Sequence, residues 1–442
     1  MLARHAQLPT PDASLLTEDA LADRLSGPRA FWQAFRDDAV RDDAVERLCA
    51  AAALLPPDYQ PVELLEKLAK TDHGFAELAQ RGLFTWAEPS PTARLHRLFG
   101  EVIREDLRLH KPAVLDAAAL SIAAEEDARH ALDRHGESET TRRVAERLDL
   151  AADYATSVDE MLGTALRHVA WVLELQGDTK RSGELYARAL EHLDENGRDE
   201  IVVFRADCLH GRARPVNQMR DPTEAQLEEA IGWAQDSQRL LERIGRSDRV
   251  GQPLAMEGLL LQKTARFAQT HEMRRERLRE ALDILVRADR LRGGLLPYAD
   301  GNAVPTVLAE NDPERGRSTF NLAGVRILLA KVEREEAAAH LDEAARVYAE
   351  VLRFRKRVYD VGVHPHIAAC EYGLAVVSYY RALLAPASSV ERTKLLRTAH
   401  GHGQEALRQR EVLDGPEDLT DSQKTAEILA KIATVRSALV EG

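Results

Sequence analysis

The sequence predicts an all-α solenoid of paired helices, preceded by a small module that carries one β-hairpin. Three observations lead there. Ala, Leu, Glu and Arg dominate nearly every segment, aromatic residues make up 5% of the chain, and alternating runs of Val, Ile or Thr are scarce, so helix is favoured almost throughout. Residues 163–195 read as two helices with facing apolar stripes, Leu166, Val169, Ala170 and Leu173 on the first and Tyr186, Ala189 and Leu190 on the second, parted by Gly177-Asp178. Small residues at Ala170, Ser182 and Ala189 let the two helices approach closely. The third observation is an interruption: in GLFTWAEPSPTARLHR, residues 82–97, two short apolar pieces, Leu83–Trp86 and Ala93–His96, flank Pro89-Ser90-Pro91 as the arms of a hairpin would.

In chain order, residues 1–37 form a lead segment, irregular or partly helical. Helices over about 38–55, 62–70 and 73–81, the hairpin, and a helix to about Arg108 then give the outline of a winged helix, so residues 38–111 are assigned to such a module. After Lys111-Pro112 the character changes to long Ala-rich helices over about 113–134 and 139–156, followed by the clear repeat. Further pairs fall at about 199–213 with 223–243, 251–269 with 272–292, 315–331 with 335–357 and 366–384 with 388–413. A last helix over about 420–440 caps the array, which runs through residues 112–442. Asp342-Glu343-Ala344, Tyr348 and Leu352 repeat the second-helix spacing of the clear unit. The connection at about 293–314 is long and bears Gly and Pro, which marks it as functional or mobile.

Composition narrows the function classes. The 442 residues are 44% hydrophobic and 30% charged, a globular balance. With 73 acidic against 60 basic residues and a net charge of −13, the surface repels phosphate backbones, so nucleic acid is not an expected partner. No apolar run is long enough to cross a bilayer, and the N-terminus lacks the layout of a secretory signal. Cys49, Cys208 and Cys370 lie far apart on expected helices, where each reads as a small buried residue, and a reducing cytoplasm is the expected compartment.

The unit at 163–195 resembles a tetratricopeptide (TPR) repeat. The C-terminal units are similar to kinesin-light-chain-type TPRs: Arg355-Lys356-Arg357-Val358, His364-Pro365 and Gly373-Leu374-Ala375 follow that family's layout, and Arg317-Ser318-Thr319-Phe320-Asn321-Leu322-Ala323 matches the start of the same helix one unit earlier. The resemblance implies that Asn321 contacts bound peptide backbone; the next unit has Gly373 at that place, so the role does not carry over there. On the N-terminal side, Leu54-Leu55-Pro56-Pro57, Phe75-Ala76-Glu77-Leu78, Arg81-Gly82-Leu83-Phe84 and Arg94-Leu95-His96-Arg97-Leu98 resemble the winged-helix segment of NB-ARC-type signalling ATPases of the STAND class. That resemblance gives His96 a role in sensing nucleotide phosphates, with Arg97 where the family has Asp. No G-x-x-x-x-G-K-[ST] phosphate loop occurs in the sequence, so a P-loop ATPase module would have to come from a separate polypeptide or another part of a larger one.

Candidate site residues follow from these units. Arg167 and Trp171 on the first helix of the clear repeat, Phe320 and Asn321, and Tyr372, Tyr379 and Tyr380 fall at groove positions and are of the types that anchor peptides, although Phe320 and Tyr379 also suit packing between repeats. A lone His at a strand–helix junction such as His96 is more often a structural hydrogen-bond partner than a phosphate sensor. A DNA-reading helix over 73–81 would hold only Arg81 as a cation and includes Glu77. His400-Gly401-His402, His364-Pro365-His366 and Asp127-x-x-His130 lack the further ligands a metal centre needs, and no nucleophile elbow or metalloprotease motif occurs. The expectation is a non-enzymatic sensor or scaffold, with no cofactor and no metal, that binds a protein or peptide in the concave groove of a STAND-like assembly. A transcriptional regulator using the winged helix, or a plain TPR adaptor, is the alternative.

Overall fold

In the computed structural model the described residues are 27–33, 43–55, 60–69, 84–87, 92–95, 97–119, 122, 138–154, 159–295, 315–359, 363–413 and 420–441. They form two compact units, residues 1–208 and 209–442.

The first unit opens with a short helix over 27–33 (α1), which falls inside the expected lead. Its Trp32 is buried and donates to Asp106 at 3.0 Å, and Arg29 pairs with Glu105 at 2.6 Å. Both acids sit on α4 (Arg97–His110), so α1 packs as part of the module. Between them come α2 (Asp43–Ala53), β1 (Gln60–Pro61), α3 (Val62–Leu68) and the expected hairpin, β2 (Phe84–Ala87) with β3 (Thr92–Leu95). The hairpin pairs antiparallel, Phe84 opposite Leu95 and Ala87 opposite Thr92, and β1 adds to the other edge of β3 with Gln60 opposite Ala93. This gives a three-stranded sheet in the order β1-β3-β2. A two-residue strand carries no alternation for a sequence reading to detect. The helix expected over 73–81, which would complete the winged-helix outline, lies outside the described residues, as does most of the one expected over 113–134; only its start is seen, as α5 over 112–119. Val45, Leu48, Leu65, Leu95, Ile103 and Leu107 form the core, and Arg104 donates to the Ala53 carbonyl at 2.5 Å, satisfying the end of α2.

The paired helices follow as α6 (Ser138–Tyr154), α7 (Glu160–Leu175), α8 (Thr179–His192) and α9 (Asp199–Gln218), the last divided between the two units. The α7–α8 turn shows how the sequence writes each pair. Gly177 takes φ +89°, a left-handed conformation that suits Gly, so the Asp178 amide can return to the Leu173 carbonyl. Asp178 then caps α8 by accepting from the Arg181 amide. Val169, Ala170, Tyr186 and Ala189 are all buried between the two helices.

The second unit continues with α10 (Glu224–Arg243), α11 (Ser247–Thr264), α12 (His271–Leu291), α13 (Arg315–Val332), α14 (Ala337–Tyr359), α15 (Pro365–Leu384), α16 (Val390–Leu413) and α17 (Thr420–Glu441). Each helix packs on the next, and the first helices α11, α13, α15 and α17 also touch in succession. This is a TPR-like ladder of helix pairs, as the sequence predicted. Two helices extend past their expected bounds: α9 runs through Pro215 to Gln218, and α11 begins four residues early, with Pro253 inside it as expected. A proline removes one hydrogen bond from a helix, but Ala213, Val216, Leu254 and Met256 are buried in the stack, and that packing outweighs the local penalty. Close approach is built into α11, where a Cβ on Gly258 would stand 2.6 Å from Leu285 of α12.

Candidate functional site

The first helix of the clear repeat, α7, carries an apolar stripe that is not covered within its unit. Met161, Trp171 and Leu175 are 48%, 39% and 61% exposed. Together with Thr164 and His168 they recur every three or four residues and so line one face of the helix. Arg167 stands beside this stripe, and its guanidinium donates to Asp207 of α9 at 2.6 Å and lies 4.4 Å from the centre of the Phe204 ring. His168 meets the same ring edge-on at 6.2 Å. Arg167 is therefore a fixed, locally neutralised element, with about 2 kcal/mol at stake in a half-buried charged pair and an aromatic contact together. Phe204 and Asp207 were not singled out in the sequence, although their spacing of three on a first helix was the available signal.

In the second unit the expected groove residues are largely engaged. Phe320 packs edge-on against Tyr348 at 5.1 Å and lies under the Arg355 guanidinium at 4.6 Å. Asn321, next to it on α13, is half-buried. Tyr372 and Tyr379 pack against Leu396, Ile428 and Ile432. The Arg410 guanidinium stands 4.9 Å from the Tyr372 ring. Tyr380 holds the Lys331 ammonium 4.6 Å from its ring and meets Tyr379 at 5.5 Å. His96 lies outside the described residues, as do Asp127 and His130.

Gly373 has a packing reason for departing from the kinesin-light-chain-type pattern. A Cβ there would come within 2.6 Å of the Tyr348 ring. The Tyr348 ring takes the volume that a side chain at this position would fill.

Titratable groups gather inside the second unit, and their partners are structural. Glu371 is buried on α15 and accepts from Lys356 of α14 at 2.9 Å and from His402 Nδ1 of α16 at 2.6 Å. Burial pushes its carboxyl up, but those hydrogen bonds outweigh it and hold the group below the ordinary carboxylate range. His402, from the motif that invited a metal reading, thus joins a helix-to-helix link. His364 caps α15, accepting from the His366 amide, and stacks on Tyr359 at 3.6 Å.

Glu333, Glu336 and His340 bring three ligand-type atoms within 4.8 Å of one another. Arg279 enters that cluster, 2.5 Å from Glu333 and 3.7 Å from Glu336, so the space between the carboxylates already holds a cation. Burial raises the Glu333 carboxyl, and the bonds from Arg279 and His340 more than reverse it, leaving it lowered. Cys49, Cys208 and Cys370 are buried thiols. Burial is the main cause that pushes all three up, Cys370 to about 11, away from the thiolate that nucleophilic chemistry requires. Among the described residues no helix is long and apolar enough to cross a membrane.

No protein-family model and no curated protein matches the chain. Among solved structures it is similar to a Signal Transduction ATPase with Numerous Domains (STAND) protein with a tetratricopeptide repeat sensor from Pyrococcus horikoshii, at 12% identity and a TM-score of 0.35, over 94% of this chain and 61% of that one. It is similar to BtubC (BKLC) from P. vanneervenii at 19% identity and a TM-score of 0.33, over 59% of this chain and 88% of that one. It is also similar to aspartyl phosphate phosphatase F from Bacillus subtilis at 12% identity and a TM-score of 0.35, over 96% of this chain and 95% of that one. The chain spans 61% of the length of the first of these.

Proposed function

We propose that the chain is a non-enzymatic recognition scaffold that binds a peptide or protein partner on the faces of its first helices, within a STAND-like signalling or regulatory assembly. The observation that carries this reading is the stripe of Met161, Trp171 and Leu175, exposed beside an Arg167 that Asp207 and Phe204 already hold in place. Large apolar side chains next to a fixed polar pair have the composition of a binding hot spot. Covering the exposed part of each of the three would contribute about 1 kcal/mol.

The partner enters with its own apolar side chains against Trp171 and Leu175, and its polar groups meet the rim of Arg167 and Asp207. Stacked helix pairs that contact mainly their neighbours adjust by small rotations, so a bound partner biases the arrangement of the array. In this reading the N-terminal module docks a further component of the assembly. A P-loop ATPase supplied separately is the component that the resemblance around His96 suggests. A DNA-reading role has less to support it, because the segment expected to read bases holds one cation, Arg81, and an acid, Glu77.

The test is quantitative capture from host extract with the native chain and with the W171A/L175S double variant, followed by mass spectrometry. A partner retained by the native chain and lost from the folded variant supports the reading. Equal retention by both would remove α7 as the recognition face.

A further inference from the structure

One guanidinium in the second unit is buried without a countercharge. Arg355, near the end of α14, is 3% exposed. Both of its hydrogen bonds leave from Nη1, to the His366 carbonyl in the first turn of α15 at 2.7 Å and to the Cys370 sulfur at 3.2 Å. Nε is buried and has no acceptor. Among the described residues no carboxylate pairs with Arg355. Its neighbours on the same helix do find one: Arg353 meets Glu350 at 2.5 Å, and Lys356 meets Glu371 at 2.9 Å.

One reading is that Arg355 only ties α14 to α15 through the His366 carbonyl. That accounts for Nη1 and leaves the rest of the group unexplained. A carbonyl and a thiol sulfur, itself a weak acceptor, cancel no charge. The Phe320 ring, 4.6 Å from the guanidinium carbon, attracts the cation but gives Nε no acceptor. The uncancelled charge is felt nearby: burial first, and then the field of Arg355, push the His364 imidazole below its ordinary value. A buried ion that is neither paired nor fully hydrogen-bonded is strongly disfavoured. The unused donors lie on the Nε–Nη2 edge, whose two parallel N–H groups match the two oxygens of a carboxylate or phosphate.

We infer that the Nε–Nη2 edge of Arg355 is a binding site for one oxyanion, a carboxylate or a phosphate group, at the junction of α13, α14 and α15. Phe320 of α13, which touches the guanidinium, is itself half-buried, so the site lies one side chain below the surface. The bound group supplies the missing acceptor at Nε and neutralises the charge. This site is independent of the α7 face.

The experiment is isothermal titration of the full chain at constant ionic strength with two probes, inorganic phosphate and acetyl-glutamyl amide. Saturable one-to-one binding of at least one probe is expected. R355K keeps the charge but loses the paired edge, and should weaken binding about tenfold, the loss of one hydrogen bond to a charged group. R355M should abolish it, while R353Q, at a side chain 72% exposed, should leave it unchanged. Binding of phosphate alone identifies phosphate as the source, binding of the glutamyl probe alone identifies carboxylate, and binding of both fits the shared chemistry. If neither Arg355 variant folds, anomalous scattering from selenate or 4-bromobenzoate in crystals of the native chain, matched to the probe that binds, decides the matter. The anion is then expected within hydrogen-bond reach of Nε. Absence of saturable binding by either probe, an equal loss in R353Q, or an anion located only elsewhere overturns the inference.

Discussion

Glu371 offers the sharpest test of how the second unit is held together. Its side chain is 4% exposed and joins three consecutive helices through Lys356 at 2.9 Å and His402 at 2.6 Å. The E371Q variant keeps the volume and removes the charge. Each hydrogen bond to a buried carboxylate is worth about 1.5–3 kcal/mol when intact. Lys356 and His402 are 54% and 31% exposed, so water recovers part of what they lose. The net loss is then about 2 kcal/mol, or a fall of about 1 M in the urea midpoint of the unit.

The pH dependence gives the control. The Glu371 carboxyl lies lower in the folded chain than its ordinary value, so its contribution is complete above the unfolded pKa of about 4.3 and is lost as pH falls through the folded value. Urea unfolding of the native chain and E371Q should differ fully at neutral pH and converge under acid conditions. A difference below about 0.5 kcal/mol at neutral pH, or one of the same size in acid, would refute the reasoning.

Other expectations follow from single positions. G373A forces a Cβ toward the Tyr348 ring from a starting separation of 2.6 Å, and should cost about 1–3 kcal/mol by thermal unfolding; a neutral result would mean that α14 and α15 separate easily. W171A, at a side chain 39% exposed, should cost about 1–3 kcal/mol of stability for the buried part of the ring, leaving the chain folded while reducing partner capture. Native thiol labelling should proceed slowly at all three cysteines and become complete in denaturant, because each is buried with its thiol pushed up; rapid labelling of any one would contradict its placement.

The ladder was legible because its information is local. The stripes of residues 163–195, the Gly177-Asp178 break and the Pro-bearing gap of the hairpin each state their geometry within a few residues. What was missed depended on distant partners. Nothing local to Gln60-Pro61 reveals that β3 stands beside it. The helix expected to end at about 213 stops short of Pro215, yet burial carries it through to Gln218. Trp32 falls within the expected lead, and its partner Asp106, which ties it to the module, lies far along the chain. The candidate site divided in the same way. Trp171 was legible from helical spacing, whereas the Arg167–Asp207 pair required knowing that α9 lies alongside α7. Phe320 and Tyr372 have the residue types of groove anchors, but periodicity alone cannot separate an anchor from a side chain packed between repeats.

The most direct test of the recognition face is site-specific photo-crosslinking with a benzophenone side chain placed at residue 175 on α7 or at residue 191 on α8. Leu175 is 61% exposed on the proposed face, and Glu191 is exposed on the second helix of the same pair. The account predicts that a partner from host extract becomes crosslinked from residue 175 and not from residue 191. Crosslinking from residue 191 alone, or equally from both, would contradict it.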